Sequence, residues 1–158
     1  MVESKIEVLL KISEVNLARA EKRFEAGEYD SAVFHASMAV ESAANAMILE
    51  LGGDEARDHQ AISGLAAVLR RVKPELLREG EYVQLIDKGR EIRREVVYAR
   101  YPLKVAGKWV TPMEYYTREK TMVVIDNAKF VVNGIKAYLK RTKIWERVRA
   151  MGVYMAPC

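Results

Sequence analysis

The chain-breaking residues constrain this sequence most. Gly27, the Gly52-Gly53 pair, Pro74, Pro102 and Pro112 cut it into stretches whose apolar residues recur with the irregular rhythm of helices rather than the alternation of strands. Between residues 5 and 26, Ile6, Leu9, Leu10, Val15, Leu17, Ala20 and Phe24 predict a first helix stopped by Gly27. Glu28 to Leu51 is rich in Ala, Met and Leu, which predicts a second helix antiparallel to the first. A polar loop, GGDEARDHQ, leads to a third helix over Ala61–Val72, ended by Pro74, and Glu79–Arg100 predicts a fourth. Val105, Gly107, Trp109 and Val110 suggest an irregular loop or small hairpin. Thr111 and Pro112 are favourable N-cap and N1 residues for a long helix to about Lys140, with a short last helix over Ile144–Met151. The expected fold is all-α, an up-and-down helical bundle of four to five main helices plus a short C-terminal helix. Its expected parts are a bundle over residues 1–141 and a basic extension over 142–158.

At 158 residues, one domain with a sizeable core is expected. The opening MVESKIEVLLKISE mixes acids with apolar residues and has no cleavage site, and no run approaches the ~20 apolar residues of a membrane span. A soluble, cytoplasmic protein without membrane association is therefore expected. Cys158 is the single cysteine, which rules out an intrachain disulfide. The glycines form no phosphate-binding loop, the serines sit in no nucleophile elbow, and His35 and His59 lack metal-ligand spacing. No metal and no cofactor are expected. Charge is unevenly divided: residues 1–87 carry 10 Lys/Arg against 16 Asp/Glu, and residues 88–158 carry 16 against 6. The overall +4 conceals an acidic half and a basic half, and the basic half would suit a polyanion or an acidic partner.

Four segments carry a resemblance: ARAEKRFEAGEYDSAVFHASMAVESAANAMI from Ala18, His59 before the third helix, RREVVYARYP from Arg93, and TPMEYYT from Thr111. Together they resemble the HEPN family of small helical proteins, over roughly residues 3–139. The resemblance implies a bundle of four or five helices, frequent homodimers and, in many members, a small nucleotidyltransferase encoded alongside. Active members are metal-independent ribonucleases carrying Arg, four to six intervening residues, then His, often with Tyr two further on. Counted from Arg93 or Arg94, the histidine positions hold Tyr98, Ala99, Arg100 or Tyr101. The motif's Arg and Tyr are matched and its His is not. Cleavage through the 2′-hydroxyl needs proton transfer near neutral pH, which neither Ala nor a guanidinium supplies. Ribonuclease activity is expected to be absent or very weak.

On an ideal helix Leu85, Ile92, Val96 and Ala99 share one side, while Arg90, Arg94, Tyr98 and Tyr101 lie together on another. Arg90, Arg93, Arg94, Tyr98, Arg100 and Tyr101 are the candidate residues for RNA, a nucleotide or a nucleotidyltransferase partner. A solvated face with tyrosines at a dimer seam is the structural alternative. Arg94 and Tyr101, with Arg93 and Tyr98, would carry any residual catalysis, and a purely structural scaffold is a further possibility. The resemblance also makes Tyr101 the counterpart of a tyrosine that a partnered nucleotidyltransferase can modify with AMP. Glu41, on a small-residue face, would need a cation such as Arg90 or Arg94. His35 and His59 read first as packing residues. Lys136, Lys140, Arg141, Lys143, Arg147 and Arg149, with Tyr138 and Trp145, read as a solvated amphipathic segment or a phosphate-binding tail.

Overall fold

The computed structural model describes residues 3–150. Six α-helices, a 3-10 turn and one two-stranded ribbon follow in order: α1 (Lys5–Glu25), α2 (Tyr29–Glu50), α3 (Ala61–Val72), the turn Pro74–Arg78, α4 (Gly80–Tyr98), β1 (Leu103–Val105), β2 (Lys108–Val110), α5 (Pro112–Tyr115) and α6 (Arg118–Ala150). The chain is an all-α bundle, as its breaks imply.

Ser4 opens α1 by a capping box with Glu7. Gly27 leaves it at φ 77, and its N–H bonds the Phe24 carbonyl. α2 is the central helix: Ala32, Ala36, Ala39, Ala43 and Ala46 are fully buried, so neighbouring helices pack close to its backbone. Met47, Ile48, Leu65, Leu69, Leu85, Ile135 and Val131 fill the space between helices. α2 also corrects one sequence expectation, because by length and composition it could cross a membrane (mean hydropathy 1.2). Yet 67% of its apolar window is buried in the bundle, the mark of a core helix.

Three further readings need correction. Thr111 does make a capping box with Glu114, but the helix it opens lasts one turn. Tyr116 then turns extended and buries its ring, so the long helix restarts at Arg118, where the Thr117 hydroxyl accepts the Lys120 N–H. No interruption follows Lys140, since α6 continues to Ala150. On α1, Ser13 rather than Val15 faces the core: Ser13 donates its hydroxyl to the Ala39 carbonyl at 2.7 Å, while Val15 is exposed. Residues 151–158, including Cys158 and the last residue of the expected short helix, lie outside the described residues.

Gly89 marks the tightest seam between α3 and α4. A Cβ there would stand 2.5 Å from Ile62 Cδ1 and 2.8 Å from its Cγ1, and Ile62 is buried. Gly89→Ala is therefore expected to destabilise the fold by about 1–3 kcal/mol. Gly80→Ala meets nothing within 4 Å and should leave stability unchanged or slightly raised. Urea denaturation of the two variants checks this contrast; equal midpoints would contradict the seam.

Candidate nucleic-acid interface

The orientation of α4 follows from its buried side. Leu85, Ile92, Val96 and Ala99 all face the core, so Arg90, Arg94 and Tyr98 must project outward. Arg90 pairs with Asp87 at 3.5 Å on the exposed surface, an interaction worth little in water. Arg94 is exposed and has no ion pair among the described residues. α4 ends at Tyr98, two residues earlier than the sequence suggests, but the Arg100 and Tyr101 N–H groups still bond the Val97 carbonyl at 3.2 Å. Tyr101, held by this extra turn, is 56% exposed. The Arg100 guanidinium lies 5.8 Å from the Tyr101 ring and 5.4 Å from the Phe34 ring.

Arg93 does not share this outward face. It is half-buried and donates to Ser63 Oγ at 3.1 Å, toward α3. There, Glu41, His59, Arg93, Ser37 and the apolar residues around Gly89 enclose a cavity of about 10 Å³, room for about one water. The expected pairing of Glu41 with Arg90 or Arg94 is not formed; its carboxylate accepts the Ala61 N–H at 3.3 Å. Burial pushes the Glu41 carboxyl up, and the Ala61 N–H, His59 and Arg93 offset part of that shift. Asp58 and His59 reach this position with φ of 55 and 59, a left-handed backbone that is uncommon outside glycine.

Beyond Arg94, a cavity of about 240 Å³ opens between α4 and the start of α6, lined by Glu91, Glu95, Tyr115, Tyr116, Lys120 and Asn127 over Ile92, Val123 and Val124. Tyr116 donates its hydroxyl to Glu95. Burial, then this bond to a carboxylate, raises the phenol far above its ordinary value. Sequence reasoning passed over both the Tyr116–Glu95 pair and a bond between His35 and Asn16, since neither has a local spacing signal. The basic segment of α6 is also engaged within the fold. Lys129, Lys136 and Lys143 pair with Glu21, Glu14 and Glu7, and Arg141 donates to the Tyr82 hydroxyl.

The HEPN domain profile matches residues 6–138, most of the chain. The chain belongs to the HEPN family. A Methanocaldococcus jannaschii protein named "Putative toxin MJ1304" is 28% identical over 133 residues, covering 84% of this chain and 87% of that protein. The crystal structure of TT1696 from Thermus thermophilus superposes with a TM-score of 0.69 at 23% identity, covering 85% of this chain and 98% of its own. ST0689, titled an archaeal HEPN homologue, gives 0.63 at 21% identity over 86% of this chain and 98% of that one. These two likenesses show that the HEPN bundle is the fold; the residues of the interface are this chain's own.

The raised Glu41 carboxyl has a signed consequence. The folded state binds the proton more tightly than the unfolded chain, whose value is near 4.5. The associated stability is present below pH 4.5 and is lost as pH rises through the folded-state value. Glu41→Gln keeps an oxygen for the Ala61 N–H and removes the charge. Its melting temperature should fall less than that of the wild type on going from about pH 4.5 to about pH 7; parallel curves in calorimetry would refute the assignment.

Proposed function

We propose that this HEPN protein is a dimeric binding module that holds RNA on the outward face of α4 without cutting it. The observation that carries the reading is the placement of α4's side chains. Arg90, Arg94, Tyr98, Arg100 and Tyr101 offer cations and aromatic rings to solvent, a combination that grips phosphates and stacks unpaired bases. No imidazole occupies the family's motif positions after Arg93 and Arg94. Tyr98 and Tyr101 put phenols there instead. A nucleotide would use the same groups.

The dimer seam in this reading surrounds the face. Val97, Trp109 and Met113 are exposed, Trp109 by 70% and Met113 by 72%. Large aromatic and thioether side chains are the anchors that interfaces favour, and a two-fold axis here would join two arginine faces. Tyr101 is the residue we assign to modification by a nucleotidyltransferase partner, its exposed phenol lying beside Arg100, which can hold a nucleotide's phosphates. Co-expression with such a partner should yield an AMP adduct by intact mass, absent in Tyr101→Phe. An adduct that persists in that variant removes Tyr101 as the acceptor.

One juxtaposition favours a second reading, a metal-independent ribonuclease of the toxin type. His59 and Glu41 line one small cavity with Arg93, so an imidazole does stand near an arginine of α4. Its volume, however, admits about one water rather than a phosphodiester, and Arg93 is held by Ser63. Binding without cleavage is therefore the stronger conclusion.

Fluorescence anisotropy with a mixed single-stranded RNA in the absence of metal tests it. Affinity should fall steeply with salt, because every neutralised phosphate releases counterions. Arg94→Ala should make the slope of log K against log salt shallower by about one. The RNA should remain intact on a gel. Salt-insensitive binding, or none at low salt, would defeat the proposal, and cleavage abolished by Arg94→Ala or His59→Ala would replace it with the ribonuclease.

A further inference from the structure

A second basic feature lies in the acidic half of the sequence. Arg19, Lys22 and Arg23 of α1, the following Ala26, and His35 of α2 line an open recess of about 540 Å³, within the size range of nucleotide-scale sites. We propose that this recess is a second phosphate subsite, taking a phosphodiester of the same RNA strand that α4 holds; it rests on that reading and extends it.

The imidazole is oriented rather than loose. Asn16 Nδ2 donates to the Ile12 carbonyl at 3.0 Å, which leaves Asn16 Oδ1 facing His35 Nδ1, also at 3.0 Å. An amide oxygen only accepts, so Nδ1 carries the proton and donates. His35 Nε2 then has no hydrogen-bond partner among the described residues. Arg23 pairs with Glu28, whereas Arg19 and Lys22 have no ion pair among the described residues. Cations in the last turn of a helix commonly offset its dipole, and Lys22 and Arg23 stand there. Arg19 lies a turn earlier, beyond the reach of that explanation.

Contacts join this recess to the outward face of α4. The Tyr101 ring lies 5.8 Å from the Arg100 guanidinium, which lies 5.4 Å from the Phe34 ring, which meets the His35 ring edge-on at 5.6 Å. Rings and the Arg100 guanidinium thus form one contiguous path from the end of α4 to His35 at the recess, the route a single strand would follow between the two sites. Two arginines and a lysine have complementary donors for the oxygens of a phosphodiester, and His35 Nε2 becomes a further donor when the ring is protonated. Burial, then Arg19 and Arg23, holds His35 below its ordinary 6.5. A bound anion reverses that bias by favouring the imidazolium.

The test is an NMR pH titration of the two histidines with and without a short 5′-phosphorylated single-stranded RNA, with His59 as internal reference. The proton affinity of His35 is expected to rise about tenfold with RNA bound, and Arg19→Ser/Lys22→Ser should abolish the rise and weaken binding. An unmoved His35 in protein that still binds RNA through Arg94 overturns the subsite and leaves the α4 reading standing. Equal affinity of the double variant and the wild type overturns it too, as does a rise produced fully by inorganic phosphate that RNA cannot compete away. Failure of the wild type to bind the RNA at low salt removes both readings together.

Discussion

The packing of the other helices onto α2 is the interaction on which the remaining structure depends. Its alanines at 32, 36, 39, 43 and 46 are fully buried, and small side chains let neighbouring backbones approach closely. Met47 and Ile48 are fully buried in the core that α2 shares with α3, α4 and α6, each such burial contributing roughly 1.5–3 kcal/mol. Because α2 holds the inner side of α4 through this core, it also decides what α4 shows to solvent. The arginine and tyrosine face is a by-product of where Leu85, Ile92 and Val96 must go.

The charge asymmetry has a partly internal explanation. Glu7, Glu14 and Glu21 recur every seven residues along α1, and Lys143, Lys136 and Lys129 recur at the same interval, in reverse, along α6. The acidic partner that the basic half called for is, over this stretch, the chain's own first helix. Such exposed pairs contribute little individually, but as a series they favour one antiparallel register. Arg94 on α4 and Arg19 and Lys22 beside His35 are among the cations that keep no ion pair among the described residues, so net charge by half is a poor guide to where an anion would dock.

Local signals were legible in the sequence. Gly27, Gly52-Gly53 and Pro74 end helices where the structure ends them, because a left-handed backbone or a missing N–H acts on its immediate neighbours. The outward side of α4 was legible for the same reason, since helical periodicity alone places Arg90 and Arg94 opposite Ile92 and Val96. What escaped depends on contacts between residues remote in sequence. Thr111-Pro112 correctly marks a helix start, but the burial of Tyr116 against Glu95 breaks that helix after one turn. Arg93 and Arg94 are adjacent in sequence, yet one bonds Ser63 inside and the other faces water. His35 gains its orientation from Asn16, nineteen residues away, and no spacing rule reaches that far.

In the proposed function RNA lies on the outward face of α4. Ultraviolet crosslinking of single-stranded RNA to the intact protein, followed by mapping of the modified peptides, addresses it directly, since aromatic rings stacked on bases form the adducts. Adducts are expected at Tyr98 and Tyr101, competed away by unlabelled RNA. Specific adducts confined to α6, with Tyr98 and Tyr101 unmodified, would contradict it.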